Sequence, residues 1–189
     1  MGLVASPLVG LVASRLVGTV DAIMIQVREE QEGDASAIRE LNRLAFGTDQ
    51  EGNLIDALRA NGGVTLSLVA TLDRRVVGHI LFSPATINDV AGAGLGPMAV
   101  SPEHQRHGIG SKLVEAGTER LKQSGCPFVI VVGHPQFYPR FGFKPASSFG
   151  ITSEWELPED VFMVSVLDPS KLAGVSGLAK YRPEFSSVS

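Results

Sequence analysis

One stretch decides the fold: Gln105-Arg106-His107-Gly108-Ile109-Gly110, which joins an apolar run at residues 95–100 to apolar and small residues at helical spacing. The first turn of a helix leaves backbone N–H groups unpaired and is partly positive. The two glycines let a ligand approach that backbone closely. The stretch therefore predicts a cradle for a phosphate or pyrophosphate, to which Arg106 can add a charge-assisted contact.

Common nucleotide-binding motifs do not fit this stretch. A P-loop needs Lys followed by Ser or Thr after its last glycine, whereas Gly110 is followed by Ser111 and then Lys112. A Rossmann fingerprint needs three glycines at fixed spacing, and the stretch has only two. Taken alone, the stretch is equally compatible with a glycine-rich turn that only begins a helix, so the residues around it have to decide.

Residues on both sides of the stretch predict a mixed α/β domain. Phe128–Val132 is continuously apolar, which is typical of a strand covered on both faces. Together with residues 95–100 and the helix between them, it predicts a parallel βαβ unit. Upstream, residues 64–70 alternate between apolar and polar types, and residues 76–83 return after a polar turn, as in an antiparallel hairpin.

The remaining apolar patterns surround that centre. A helix is predicted from its capping residue Asp34 to Gly47, with Ile38, Leu41 and Leu44 on its buried face. The other predicted elements are a strand at residues 25–28, a second helix around residues 54–58, a strand at residues 86–90 and a late strand at residues 162–167.

The N-terminal residues form a separate pattern. Residues 2–9 (GLVASPLV) recur as residues 10–17 (GLVASRLV) with one change. No charge precedes this apolar repeat, and Pro7, Gly10 and Arg15 interrupt it, unlike in a secretory signal or a membrane span. We therefore predict a mobile extension at residues 1–23 and one domain at residues 24–189. Membrane association through the repeat is the alternative.

Composition narrows the functional classes. The 189 residues are 44% hydrophobic and 19% charged, as in a globular protein, and the net charge of −4 gives no footprint for nucleic acid. A single cysteine, Cys126, excludes an internal disulfide and any multi-cysteine metal site, and the four histidines lack metal-ligand spacing. The sequence thus predicts a protein without a metal, not in a membrane, in a reducing cytoplasm.

Two motifs in this order resemble the GNAT acetyltransferase superfamily. Its coenzyme A loop reads Gln/Arg-x-x-Gly-x-Gly/Ala after a strand, and residues 95–110 are similar to it. Its Tyr-x-Lys/Arg-x-Gly-Phe segment resembles Tyr138-Pro139-Arg140-Phe141-Gly142-Phe143. Two motifs about 30 residues apart are far more specific than either alone. Residues 133–138 and the tail Tyr181-Arg182-Pro183 are similar to the YhbS-like branch, and the resemblance spans residue 24 to the final strand.

The resemblance implies a mixed, largely antiparallel central sheet flanked by helices, with the parallel βαβ unit at the coenzyme A site. It implies an N-acetyltransferase that moves an acetyl group from acetyl-coenzyme A to a primary amine by direct attack on the thioester. The residues that would hold the coenzyme are Met98, Ala99, Val100, Gln105, Arg106, His107, Gly108, Ile109, Gly110 and Ser111. Tyr138 would be the general acid, because a phenol with a pKa of about 10 stays protonated at neutral pH and can protonate the departing thiolate.

The general base is the point at which this sequence departs from the family. Many members carry Glu on the strand that matches residues 95–100, and none is present there. His79, Glu51 and His134 are the candidates that could take the proton of the amine through water. The missing Glu leaves a second hypothesis open, a coenzyme-A-binding regulatory module without catalysis. The sequence also leaves open whether the acceptor is a small-molecule or peptide amine, and whether the chain forms a homodimer.

Overall fold

The computed structural model describes residues 25–187. The predicted extension at residues 1–23 lies outside this described part, so its separation from the domain stays a prediction. The strands of the described part, in chain order, are Gln26–Glu29 (β1), Leu66–Leu72 (β2), Arg75–Ile87 (β3), Val90–Val100 (β4), Phe128–Val132 (β5), Lys144–Pro145 (β6), Ile151–Ser153 (β7), Phe162–Val166 (β8) and Gly177–Lys180 (β9). The α-helices of the same part are Ala35–Phe46 (α1), Gln50–Ala60 (α2), Ile109–Gln123 (α3) and Pro169–Leu172 (α4).

All these strands belong to one sheet. Its order is β1-β2-β3-β4-β5-β8-β6, and β9 pairs with both β3 and β7. Most neighbours are antiparallel, but β7 and β9 run parallel, and so do β4 and β5, with Ala93 opposite Val129 and Leu95 opposite Val131. Because α3 connects β4 to β5, the predicted parallel βαβ unit is confirmed, and so is the mixed, largely antiparallel sheet.

Helices cover both faces of the sheet, and the alternation of the strands explains how. On one face, Leu58 of α2 packs in a buried cluster with Leu81 of β3. On the other face, Leu113 of α3 packs with Ile80, the preceding residue of β3. Successive residues of a strand point to opposite faces, so β3 contributes to both cores and is buried along most of its length.

Glycines bring α3 unusually close to the sheet. A Cβ on Gly117 would lie 2.4 Å from the ring of Phe82, and a Cβ on Gly78 would lie 2.8 Å from Ile109. Both distances are too short for real Cβ contacts, so each glycine is required for this packing. The second contact lies at the first residue of α3 and therefore fixes the position of the loop that precedes the helix.

The predicted separate strand at residues 86–90 is wrong. β3 continues through Pro84 to Ile87, Asn88 and Asp89 form the turn, and Val90 begins β4. Proline is tolerated inside β3 because β2 begins at Leu66, opposite Phe82, and β9 pairs only from Thr86 onward, so no described strand lies opposite the Pro84 nitrogen on that edge.

The prediction that Leu44 lies on the buried face of α1 is also wrong. Leu44 is 51% exposed, whereas Ile38, Leu41 and Asn42 form the buried face. The Asn42 side chain donates to the Ile38 carbonyl at 2.8 Å, which lets an amide occupy a helical position where the sequence suggested only apolar residues.

Candidate active site

The loop before α3 presents unpaired backbone N–H groups. Gly108 is the N-cap of α3 and has a φ of 80°, a left-handed conformation that favours glycine. Lys112 donates its N–H to the Gly108 carbonyl at 3.0 Å, whereas the N–H groups of residues 109–111 donate to no acceptor among the described residues. Such groups at the positive end of a helix form an anion-binding site.

A groove of about 1040 Å³ lies over this helix end, and we name it the loop groove. Its charged side chains are Arg106 and Arg140, and within the described part of the chain it has no carboxylate. The residues that line it are Met98, Val100, Gln105, Arg106, Gly108, Ile109, Gly110, Ser111, His134, Pro135, Gln136, Phe137, Tyr138 and Arg140. Its charge and its backbone donors suit an extended polyanion.

The loop groove brings together the predicted coenzyme-binding residues except Ala99 and His107. Ala99 is 3% exposed and pairs with His79 of β3, and His107 is exposed without lining the groove. The roles predicted for these two residues remain predictions. Gln105 donates its amide to the Val100 carbonyl at 3.1 Å, which closes the loop onto the end of β4.

β4 and β5 separate beside the loop groove. Their last parallel pair is Leu95 with Val131, although both strands continue. β4 also has a bulge here, because Ile80 and Phe82 of β3 pair with Met98 and Leu95, which leaves one extra residue in β4. As a result, β4 beyond Leu95 has no strand partner on its β5 side in the described structure.

Tyr181 spans the point where the two strands part. Its hydroxyl donates to the Ile130 carbonyl of β5 at 3.1 Å and lies 3.5 Å from the Leu95 carbonyl of β4. Its ring occupies space that only a glycine leaves free, since a Cβ on Gly94 would lie 2.4 Å away. Burial raises the pKa of Tyr181 well above its ordinary value, so this hydroxyl is a fixed structural donor.

A second cavity of about 710 Å³ opens where the strands separate, and we name it the aromatic cavity. The residues that line it are Phe46, Glu51, Leu54, Leu95, Gly96, Pro97, Met98, Val132, Gly133, His134, Tyr138, Trp155, Glu156, Leu157, Tyr181 and Phe185. It shares Met98, His134 and Tyr138 with the loop groove, so the two cavities meet at these three residues.

Tyr138 stands at the junction with a hydroxyl that makes no hydrogen bond to the described residues. The residue is 6% exposed and packs edge-on against Phe137 and Phe143, with ring centroids 5.1 Å and 5.5 Å away. Its ring also lies against Gly133, where a Cβ would come within 2.3 Å. Burial raises the pKa of Tyr138 well above its ordinary value, so the hydroxyl keeps its proton at neutral pH.

His79, one of the three candidate bases, is sealed in the core. It is 0% exposed and lines neither cavity, and its Nε2 lies 3.0 Å from Ser67 Oγ. Ser67 donates to Glu30 at 2.5 Å, and Arg59 donates to the same carboxylate at 2.6 Å. Burial, together with the charge of Arg59 and against that of Asp34, lowers the pKa of His79 to about 3. His79 is therefore neutral and out of reach of either cavity.

The other two candidate bases lie on the aromatic cavity. Glu51 is half-buried in the first turn of α2, where Thr48 donates its hydroxyl to the carboxylate at 2.9 Å. His134 is exposed at the junction of the two cavities, and its carbonyl accepts the Phe137 N–H at 3.0 Å.

Most of the aromatic cavity was not predicted. Its walls include Phe46 at the end of α1, the loop residues Trp155 and Leu157, and Phe185 in the last described turn. These residues are far apart in the sequence and follow no common spacing. The parts of the lining that carried a sequence signal include residues 133–138 and the tail that begins at Tyr181, both through their similarity to the YhbS-like branch.

Residues 25–187 contain neither a metal-binding cluster nor a membrane-spanning helix. In that range no group of three or more His, Cys, Asp or Glu side chains could hold a metal ion. None of the helices there is long and apolar enough to cross a membrane. Cys126 is free and half-buried, and burial raises the pKa of its thiol.

The sequence matches a known family across these features. A family model described as an acetyltransferase (GNAT) domain matches residues 64–145, which include both the loop and Tyr138. The Escherichia coli strain K12 protein named Uncharacterized N-acetyltransferase YhbS is 36% identical over 163 residues, which cover 85% of this chain and 98% of that protein. Another protein of that strain, named Uncharacterized N-acetyltransferase YjhQ, is 40% identical over 134 residues, with 67% and 74% covered.

Solved structures of GNAT acetyltransferases are also similar to this chain over most of its length. The crystal structure of the GNAT family N-acetyltransferase YhbS from Escherichia coli in complex with CoA has a TM-score of 0.84 at 34% identity, covering 87% of this chain and 93% of that one. A GNAT family acetyltransferase from Brucella melitensis in complex with acetyl-CoA has a TM-score of 0.73 at 34% identity, covering 86% and 99%. The similarity thus extends over nearly the whole described part of the chain.

Proposed function

The chain belongs to the GNAT acetyltransferase family, and on that premise we propose that it transfers the acetyl group of acetyl-coenzyme A directly to a primary amine. The observation that carries the proposal is the meeting of two oppositely charged cavities at Tyr138. Among the described residues, the loop groove is lined by arginines without carboxylates, and the aromatic cavity by carboxylates without Lys or Arg. A thioester in the groove would lie next to an amine in the cavity.

The coenzyme fits the loop groove on chemical grounds. The unpaired N–H groups of residues 109–111 suit a pyrophosphate, and the space above Gly108 is open, since a Cβ there meets nothing within 4 Å. Arg106 and Arg140 supply positive charge. The edge of β4 at residues 98–100 has no strand partner on its β5 side and, apart from the Val100 carbonyl that accepts from Gln105, would offer backbone groups to the amides of the pantetheine arm. Two similar structures hold CoA and acetyl-CoA respectively.

Acetyl transfer in this arrangement needs one bond to form and one to break. The amine nitrogen attacks the thioester carbonyl carbon, the C–N bond forms, the C–S bond breaks, and the electron pair leaves with the sulfur. Tyr138 would donate its proton to that sulfur, and the amine would lose a proton to a base. Burial raises the pKa of Tyr138, so the phenol would keep its proton until negative charge develops on the departing sulfur beside it. A β4 backbone N–H beside the carbonyl would stabilise its developing charge.

The base that we propose is His134, acting through water. Of the two candidates on the aromatic cavity, only His134 also lines the loop groove, so it borders the space where the amine would meet the thioester. Glu51 lines the cavity alone and would attract the amine rather than deprotonate it.

The alternative is a module that binds the coenzyme without turning it over. A single experiment separates the two: the purified chain is mixed with acetyl-coenzyme A and a panel of primary amines, and the loss of thioester absorbance is followed. We expect loss that requires an amine, with the acetylated amine found by mass spectrometry. A rise in melting temperature with acetyl-coenzyme A, but no amine-dependent turnover across the panel, would establish the binding module instead.

Two further features belong to this proposal. We place the enzyme in the cytoplasm, since a single free cysteine and a thioester co-substrate suit a reducing compartment. We also propose that the chain forms a homodimer. Cell fractionation tests the first, and sedimentation of the purified chain tests the second.

A further inference from the structure

The walls of the aromatic cavity include large apolar side chains that are open to solvent. Phe46 is 43% exposed and Val132 is 39% exposed, and both line this cavity. Large apolar side chains left open around one concavity mark a site for an apolar ligand. Further along the wall, Tyr181 stacks with Trp155 at 5.4 Å between ring centroids and packs on Phe185 at 4.7 Å. Because the three rings pack on one another, Tyr181 and Phe185 are buried, and the half-buried Trp155 is the ring that keeps surface for an aromatic ligand.

The charge of the aromatic cavity is negative. Glu51 and Glu156 line it, and no Lys or Arg of the described part does. Glu156 is exposed and forms no ion pair or hydrogen bond with a described residue. Glu51 uses one carboxylate oxygen to accept from Thr48 and remains without a cationic partner among the described residues. Carboxylates without cations attract an ammonium group and repel a carboxylate.

The size and the position of the cavity set the outline of its ligand. Its volume of about 710 Å³ is in the range of pockets that enclose small organic molecules. It joins the loop groove at Tyr138, so an amine at that end would leave the rest of the acceptor against the aromatic walls. A peptide would bring backbone groups that these apolar walls cannot pair, and a polyamine would bring charges along its whole length.

We infer that the acceptor is an arylalkylamine: a primary amine on an aromatic body, without a carboxylate beside the amine. This inference rests on the proposed acetyl transfer. Polyamines, amino acids and peptide N-termini are the acceptors that it disfavours.

The first test compares four amines as acceptors with the full chain. 2-Phenylethylamine is the expected substrate, phenylalanine adds a carboxylate to the same skeleton, spermidine is a polyamine, and an alanyl dipeptide is a peptide. We expect kcat/KM for phenylethylamine to exceed each of the others by about tenfold or more, because the cavity favours its ring and disfavours their added polar groups. Preference for spermidine, phenylalanine or the dipeptide would overturn the inference and leave the proposed acetyl transfer intact.

A second measurement reports binding without turnover. Trp155 is the only tryptophan of the chain and lies in the cavity wall, so its fluorescence should change when phenylethylamine enters. A saturable change without acetylation of any amine would uphold the ligand class and overturn the proposed function. If phenylethylamine changes neither fluorescence nor turnover, the inference is wrong.

Charge variants test the role of the carboxylates. Glu156→Gln should raise KM for phenylethylamine about three- to tenfold, with a smaller change in kcat, and the effect should shrink in high salt. Glu159→Gln is the matched control, because Glu159 lies on the same loop, is exposed and does not line the aromatic cavity. Equal KM values for both variants would contradict the electrostatic part of the inference.

Discussion

The two cavities that meet at Tyr138 are built in opposite ways. The loop groove comes from two short segments, residues 98–111 and 134–140, and its donors include the backbone of a helix end. The aromatic cavity is built mainly from side chains of segments spread between Phe46 and Phe185. The groove contains arginines, whereas the cavity contains carboxylates.

This difference explains how one fold can keep two substrates apart. A polyanion is attracted to the groove and repelled by the cavity, and an ammonium group experiences the reverse. The reacting ends then meet at the one place where the cavities join. Variants of the junction should therefore lower the rate of acetyl transfer, and variants of the loop groove should weaken coenzyme binding. Changes outside the two cavities should affect neither the rate nor the affinity.

Tyr138→Phe should have the largest effect, because among the described residues it removes the one hydroxyl placed at the junction and keeps the ring that packs on Phe137 and Phe143. We expect kcat to fall about 10²–10⁴-fold, the usual scale of general acid catalysis. KM for acetyl-coenzyme A should change little, since backbone groups hold it. Single-turnover rates are the measurement, because product release can hide the chemical step.

Tyr181→Phe is the matched control for this variant. Tyr181 is also buried and lines the aromatic cavity, but its hydroxyl is used by the Ile130 carbonyl. Its loss should lower the free energy of unfolding by about 1–3 kcal/mol and lower the single-turnover rate less than tenfold. Equal rates for wild type and Tyr138→Phe would assign proton delivery to water or to the substrate ammonium.

The same contrast decides how much of the site the sequence could predict. Backbone recognition of an anion needs only a helix start and glycines at short spacing, so the pattern of residues 105–110 could suggest an anion site, although the neighbouring motifs were needed to favour it over a plain helix start. Phe46, Trp155 and Glu156 come together only through the tertiary fold, so no local pattern could predict the cavity. The fold followed the same rule: the βαβ unit was predicted from apolar runs, whereas the continuation of β3 through Pro84 depends on its pairing with β4 and with β9, which is distant in the sequence.

Gly108→Val should have the next largest effect and should act on the groove alone. Gly108 has a φ of 80° and opens onto the groove, so a branched side chain would strain the loop and obstruct the anion site. We expect the dissociation constant for acetyl-coenzyme A to rise about tenfold or more, measured by calorimetry on a variant that remains folded.

Gly174→Val distinguishes backbone strain from obstruction of the anion site as the cause of the weaker coenzyme binding. Gly174 has a φ of 73° and open space around it, but it lines neither cavity. This variant should show the same backbone strain with coenzyme affinity kept within about twofold of wild type. A folded Gly108→Val protein that binds acetyl-coenzyme A like wild type would remove the loop from the site.

The buried His79 should have a smaller effect, which is on the free energy of unfolding and not on either cavity. Its pKa is about 3 in the folded protein against an ordinary value of 6.5, so between these values the unfolded chain binds more protons. Stability should therefore fall as the pH drops below 6.5, by about 1.4 kcal/mol between pH 7.5 and 5.5. The lowered pKa values of Asp34 and Glu184 act in the same direction but only below about pH 4.5.

Urea unfolding at these two pH values measures this loss. His79→Gln should remove most of it, although the variant will be less stable at every pH because Ser67 loses its buried partner. His107→Gln, at an exposed histidine, is the control and should keep the wild-type loss. An unchanged loss in His79→Gln would show that another group is responsible.

Removal of residues 1–23 should have the smallest effect. The repeat has neither a helical nor a strand period, and the described residues that line the two cavities lie between Phe46 and Phe185. We expect the chain of residues 24–189 to bind acetyl-coenzyme A within about twofold of the full chain and to melt within about 2 °C of it, a stability change below about 1 kcal/mol. Both proteins should also fail to sediment with lipid vesicles.

A fall of melting temperature well beyond about 2 °C on truncation would show that the repeat packs on the domain or joins two subunits. Loss of vesicle binding on truncation would establish the membrane alternative. Either result would add a third region to the comparison, since the two cavities alone would no longer account for the whole chain.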